Sequence, residues 1–155
     1  TIRSRRTASP PLNSSVRCHR TVPRQMDEKQ REICAHLREL QSSEAASWLM
    51  AHYPTSSSHW GEALVVMPHR SWEKRDQIRL AKYYLSRIPF ASARGYEVFA
   101  SFMSVKNMIA VIRDYIPPTS EDRKLLAYHI APVLRRKAES DKDLAIVGSL
   151  LDALA

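Results

Sequence analysis

SWEKRDQIRLAKYYLSRIPFASARGYEVFASFMSVKNMIAVIRDYI, residues 71–116, decides the fold of this chain. Ser71 is a capping residue for a helix over about Trp72 to Ile88. Ile78, Ala81, Leu85 and Ile88 recur on it at three-four spacing, and Pro89, which has no amide hydrogen, stops it. Ser92 opens the next helix, with Tyr96, Phe99 and Met103 on one side and Val98 and Phe102 beside them. Ser104 opens a third, carrying Val105, Met108, Ile109, Ile112 and Ile116 up to Pro117-Pro118. Pro89 and Pro117-Pro118 mark the ends of the first and third of these helices, and nothing in the stretch reads as strand.

Working outward, the same reading holds. Asp27 to Gln41 has acids in its first turn and Ile33, Leu37 and Leu40 on one stripe. Ser42 or Ser43 caps a second helix, about Glu44 to His52, with Trp48 and Leu49 on its apolar face, ended by Pro54 and a serine run. Ala63-Leu64-Val65-Val66-Met67 has strand composition but no partner strand, so it reads as a short helix closed by Pro68. Beyond Pro118 come a helix of about Ser120 to Ala138, bent at Pro132, and one of about Asp141 to Leu154. Leu125, Leu126, Ile130, Val133 and Leu134 form one stripe; Leu144, Val147, Leu151 and Leu154 form another. The fold class is all-α, and the short connections predict that sequential helices pack as neighbours.

The chain has 155 residues, 44% apolar and 26% charged, the composition of a soluble globular protein. Its formal charge of +8 is unevenly placed: residues 1–26 hold six arginines and no acid, which leaves +2 for the remainder. That stretch, rich in Ser, Thr and Pro, buries too little apolar surface to offset its ordering entropy and reads as a disordered basic tail. A nucleic-acid arm, an Arg- and Ser-rich targeting peptide and a phosphorylated docking segment are its functional readings, against a plain solvated linker. Two cysteines, Cys18 and Cys34, make no disulfide framework, and no apolar run is of membrane-spanning length, which points to a cytoplasmic setting.

Chemistry finds little footing. Gly61, Gly95 and Gly148 are too scattered for a phosphate cradle, so no cofactor is expected. Cys34 and His36 point to different faces of a helix and Cys18-His19 lies in the tail, so no metal is expected either. Cys34 sits beside an apolar stripe, where cysteine behaves as a small hydrophobe. His52, His59, His69 and His129 lack a local nucleophile-and-carboxylate arrangement. No catalytic residue is assigned, and the chain does not read as an enzyme. The charge on the helix after Ser71 is more informative. Arg75, Arg79 and Lys82, at i, i+4 and i+7, share one face about 100° from the apolar stripe, either a solvated face or a docking patch for an acidic surface.

The order of segments over residues 71–116 resembles the last three helices of a caspase-recruitment domain, a six-helix death-fold module. Lys74-Arg75, Gly95, Tyr96, Phe99, Phe102, Ile109 and Ile112 fall where that pattern places their counterparts, and QREICAHLRELQ and EAASWLMAHY stand as its first two helices. The chain departs from the pattern in its Pro89-Phe90 link, its serine-rich stretch before residue 60 and its two extra helices. The resemblance implies a death-fold-like bundle over 27–117 followed by a helical pair over 118–155. Its core would draw on Ile33, Leu37, Trp48, Leu49, Ile78, Leu85, Phe99, Phe102, Ile109 and Ile112. It implies assembly through a basic surface of the first and fourth helices, here Arg75, Arg79 and Lys82 with Arg31 and Arg38. The acidic counterpart is thin, little beyond Glu44 and Glu62, which favours a different, acidic partner over self-assembly.

The expected function is therefore that of an adaptor or scaffold in signalling or cell-death complexes, bound to another protein with an acidic helical surface, a homotypic domain being one candidate, and to no membrane. A second reading is a helical-repeat or nucleic-acid-binding protein using the arginine tail; DQIRLAKYYL and DRKLLAYHIA share a faint pattern 46 residues apart. A third is a bacterial or viral effector that binds a host protein.

Overall fold

The computed structural model describes residues 26–155, and these are all-helical, with no strand among them. Eight α-helices follow in order among the described residues: α1 (Glu28–Glu39), α2 (Ser42–His52), α3 (Glu62–Val66), α4 (Lys74–Tyr84), α5 (Arg94–Phe102), α6 (Val105–Arg113), α7 (Ser120–Lys137) and α8 (Asp141–Leu154). Single 3-10 turns, Met67–His69 and Leu85–Arg87, extend α3 and α4. The basic tail reading of residues 1–26 falls, Met26 apart, outside the described residues.

Sequential helices pack most extensively in the α7–α8 pair and more lightly at α4–α5 and α5–α6; elsewhere the main neighbour lies one helix further along the chain. The odd helices pack α1 on α3, α3 on α5 and α5 on α7, while the even ones pack α2 on α4, α4 on α6 and α6 on α8. The chain alternates between two rows, each hairpin laid against the one before it. Short links alone favour contact within a hairpin, but these helices bury wide stripes that reach the next hairpin as well. One hydrophobic core runs from Cys34 to Leu154, so helices over 118–155 share it with those over 27–117.

Local chemistry explains most boundaries. Asp27 caps α1 by accepting from the Gln30 amide at 2.7 Å, and Gln30 answers by accepting from the Asp27 amide at 3.1 Å. Ser104, Thr119 and Ser140 cap α6, α7 and α8 by accepting from the amide three residues on, without the reciprocal bond. Three expected caps differ. Neither Ser42 nor Ser43 caps α2, whose cap residue is Gln41; Glu73 rather than Ser71 precedes α4, and Ala93 rather than Ser92 precedes α5. Ser42 instead lies inside α2 and accepts from the Glu73 amide at 2.9 Å, tying the start of one helix to the start of the other. α7 runs through Pro132, which is exposed. Its missing amide leaves the Tyr128 carbonyl, four residues earlier, without the usual helical bond.

The buried faces are rotated from those the spacing predicts. Leu37, Leu49, Leu85, Phe99, Ile109 and Ile112 are core residues, but Ile33, Trp48, Ile78 and Phe102 are only half-buried against it. On α4 the buried stripe is Asp76, Leu80, Ala81, Tyr84 and Leu85; an aspartate occupies one position of the seam, which hides it from a hydrophobicity count. Leu125 and Leu144, placed on stripes by spacing, are exposed, because α7 and α8 bury Leu126, Ile130, Val133 and Leu134, and Val147, Leu150 and Leu154.

Candidate functional site: a basic face on the even row

Three side-chain hydrogen bonds define the outer surface of the even row. Arg79 of α4 donates to the Ser47 hydroxyl of α2 at 3.0 Å and to the Ser43 carbonyl at 3.5 Å. Arg113 of α6 donates to the Ser149 hydroxyl of α8 at 3.0 Å. Each bond runs between exposed positions on adjacent helices, so the solvent faces of α2 and α4, and of α6 and α8, are continuous; α4 on α6 closes the middle. Helical spacing then places Arg75 and Lys82 with Arg79, and Lys106 with Arg113. All four of Arg75, Lys82, Lys106 and Arg113 are exposed. Glu44 and Asp152, exposed and at helical spacing from Ser47 and Ser149, lie on the two outermost helices of the row, and Glu73 and Asp114 flank the ends of α4 and α6.

Arg79 differs from its neighbours. Its guanidinium also donates to Asp76 Oδ1 at 3.0 Å. Asp76 is fully buried, and its Oδ2 has no hydrogen-bond partner. Burial pushes this carboxyl up; the neighbouring Ser42 hydroxyl and the Arg79 guanidinium, with the charges of Arg79 and Arg75, outweigh it and hold the group below its ordinary value. Arg79 is therefore half structural, whereas Arg75 and Lys82 are free of recorded bonds within the described residues.

Arg31 and Arg38 do not join this face. They lie on α1, which begins the odd row and packs chiefly on α3. Arg31 donates to the Met26 carbonyl at 3.1 Å and 3.2 Å, and Arg38 to the His69 carbonyl at 3.4 Å. One arginine that the sequence reading passed over has a clear task. Arg70 reaches the Leu37 carbonyl, and the Leu40 carbonyl at 2.9 Å, closing the C-terminal end of α1 while its guanidinium lies 4.8 Å from the centre of the Trp72 ring.

Groups that could carry chemistry are placed as packing elements. Cys34 is buried with its thiol 3.6 Å from the Met26 sulfur, and burial raises its pKa against the opposing charge of Arg38. Tyr84 donates to the Tyr53 carbonyl at 3.0 Å and the Leu49 carbonyl at 3.2 Å, and burial drives its pKa well above the ordinary phenol range. The Tyr96 hydroxyl accepts from the Phe90 amide at 2.8 Å; burial pushes it up to about 12, the Phe90 bond working the other way. Among the described residues no three His, Cys, Asp or Glu side chains group as a metal site would need. No helix among them is long and apolar enough to cross a membrane. No family model matches this chain, and neither does any curated protein or solved structure.

Proposed function

We propose that this chain is a protein-interaction module, not an enzyme, and that the basic outer face of its even helix row docks an acidic protein surface. One observation carries the reading: the bonds from Arg79 to Ser47 and from Arg113 to Ser149 lay out four helices side by side, with exposed cations on the inner two and no catalytic grouping beside them. Opposed charges on such a face set orientation and association rate, and apolar contacts supply most of the affinity. The resemblance to caspase-recruitment domains adds a class of assembly, the signalling or cell-death scaffold. The alternation of rows favours stacked helical hairpins over a six-helix Greek-key bundle, so the helical-repeat reading of the architecture is the better supported of the two.

The test uses Arg75→Glu with Lys82→Glu and leaves Arg79 alone because of its bond to Asp76. Wild-type and doubly substituted chains are used as baits, and captured proteins are quantified side by side. Acidic partners should be lost from the variant while its helicity stays unchanged. Equal capture by both baits rules the face out. A gel shift with duplex nucleic acid at low and high salt separates the competing reading: binding that collapses with salt and disappears on removing residues 1–26 would assign the role to the arginine-rich segment.

A further inference from the structure

The odd row contains a notch. α3 has five residues, between an α1 of 12 and an α5 of nine, too short to cover the flank of α5 beside it. The link from Arg87 to Ala93 passes along the other side of the gap. Between them lies a groove of about 930 Å³, at the upper end of the volumes of ligand-binding clefts. Its floor is apolar, made by Trp60, Leu64, Val65, Phe90 and Val98, and its rim carries Arg87 and Arg94.

The floor is rigid. Phe90 stacks on Tyr96 with ring centres 4.9 Å apart, Trp60 lies 5.6 Å from Phe90, and Trp60 is stacked 6.2 Å from the fully buried Tyr84. Gly95 permits this: a Cβ there would come within 2.5 Å of the Phe90 ring. Yet Trp60, Leu64, Val65 and Val98 are only half-buried, leaving apolar surface open in a preformed concavity. Such a site binds at low ordering cost. The charges are already sorted. Glu97, beside the floor, faces Arg136 of α7 at 3.6 Å, and Arg87 is held on the rim by donating to the Thr55 carbonyl. Arg94 is exposed with no recorded acidic partner within the described residues.

We infer that this groove is a second docking site, whose occupant is a short amphipathic segment of another protein. That segment presents two or three bulky apolar side chains at helical spacing to the floor and an aspartate or glutamate to Arg87 and Arg94. This is helix-in-groove recognition with a charged clamp at one edge. The chain's own residues 1–25 suit it poorly, since they bring six arginines and no acid to a basic rim. The groove lies on the odd row and does not depend on the basic face of the even one.

The experiment pans the full chain against a random-peptide library. Peptides with Leu, Ile or Phe three or four residues apart and a nearby acid should be enriched. Their affinity should fall at least about tenfold in Val98→Glu and about threefold to tenfold in Arg94→Glu, and should hold in the Arg75→Glu, Lys82→Glu chain, so the two sites fail separately. If Val98→Glu loses helicity, the exposed Arg94→Glu decides, with a peptide whose acid is replaced by lysine regaining affinity for it. Enriched peptides indifferent to Val98→Glu and Arg94→Glu, or no enrichment, overturn the proposal. So does self-association in sedimentation that Val98→Glu abolishes, which would assign the groove to a second copy. Tight binding of a peptide spanning residues 1–25 overturns it too.

Discussion

Arg79 Nη1 lies 3.0 Å from Oδ1 of Asp76, one turn earlier on α4, and the carboxylate is wholly buried while the guanidinium is 37% exposed. The pair sits where α4 crosses the start of α2, with Ser42, Ser43 and Ser47 completing the contact. Arg79→Ala would leave a buried negative charge with one fewer donor. Its cost should be about 2–3 kcal/mol, less than for a fully enclosed pair because Arg79 reaches solvent. Urea unfolding measures it; an unchanged midpoint would remove this pair from the fold's supports.

The same carboxylate sets a pH dependence. Its folded pKa is depressed by Ser42, Arg79 and Arg75 in spite of burial. A depressed pKa means the unfolded chain binds the proton more readily, so the stabilisation is complete above the unfolded value of about 4 and fades as pH falls below it toward the folded value. The stability gap between wild type and Asp76→Asn should therefore be constant near neutrality and narrow in acid. A gap that widens as the solution is acidified would contradict this assignment.

Phe99 and Phe102 lie edge-on with ring centres 5.7 Å apart on α5, yet only Phe99 is enclosed. Phe99→Ala should cost about 3–5 kcal/mol, the range for a large side chain removed from a packed core. Phe102→Ala, with part of its ring already in water, should cost less. Thermal melts of the two variants rank them, and the reverse order would show that α5 faces the other way.

Gly95→Ala places a methyl 2.5 Å from Phe90 Cδ2, so the ring must move. Overpacking of this kind costs about 1–3 kcal/mol. Gly148→Ala, in the middle of α8 with nothing within 4 Å of the new atom, should instead stabilise by roughly 0.5–1 kcal/mol through helix propensity. Calorimetry on the pair separates crowding from backbone entropy; equal effects would mean that Phe90 does not lie over α5.

Much of the fold was legible because prolines and short polar residues mark its edges. Pro54, Pro68, Pro89 and Pro117-Pro118 lie between helices, and Ser104 caps α6 as its position suggests. The face of α4 was harder to read. Asp76 holds a core position there; its countercharge Arg79 is on the same helix, but the Ser42 hydroxyl beside it belongs to α2, far earlier in the chain. Arg79 therefore read as one of three equivalent cations, when it is partly committed to the α2–α4 contact. The extension of the basic face to Lys106 and Arg113 needed the packing of α4 on α6 and of α6 on α8, which periodicity within one helix does not report. The groove depends on how far a five-residue helix falls short of its neighbours, a property of the row and not of any motif.

Alternation between two rows also bears on how the chain reaches its native state. The principal helix contacts skip one helix at most, so few loops must be closed at high entropic cost before contacts begin to reward them, and relative contact order stays low. Nucleation can begin at any hairpin and spread to either side, and the outermost hairpins can fray and reform while the middle of the stack keeps its place.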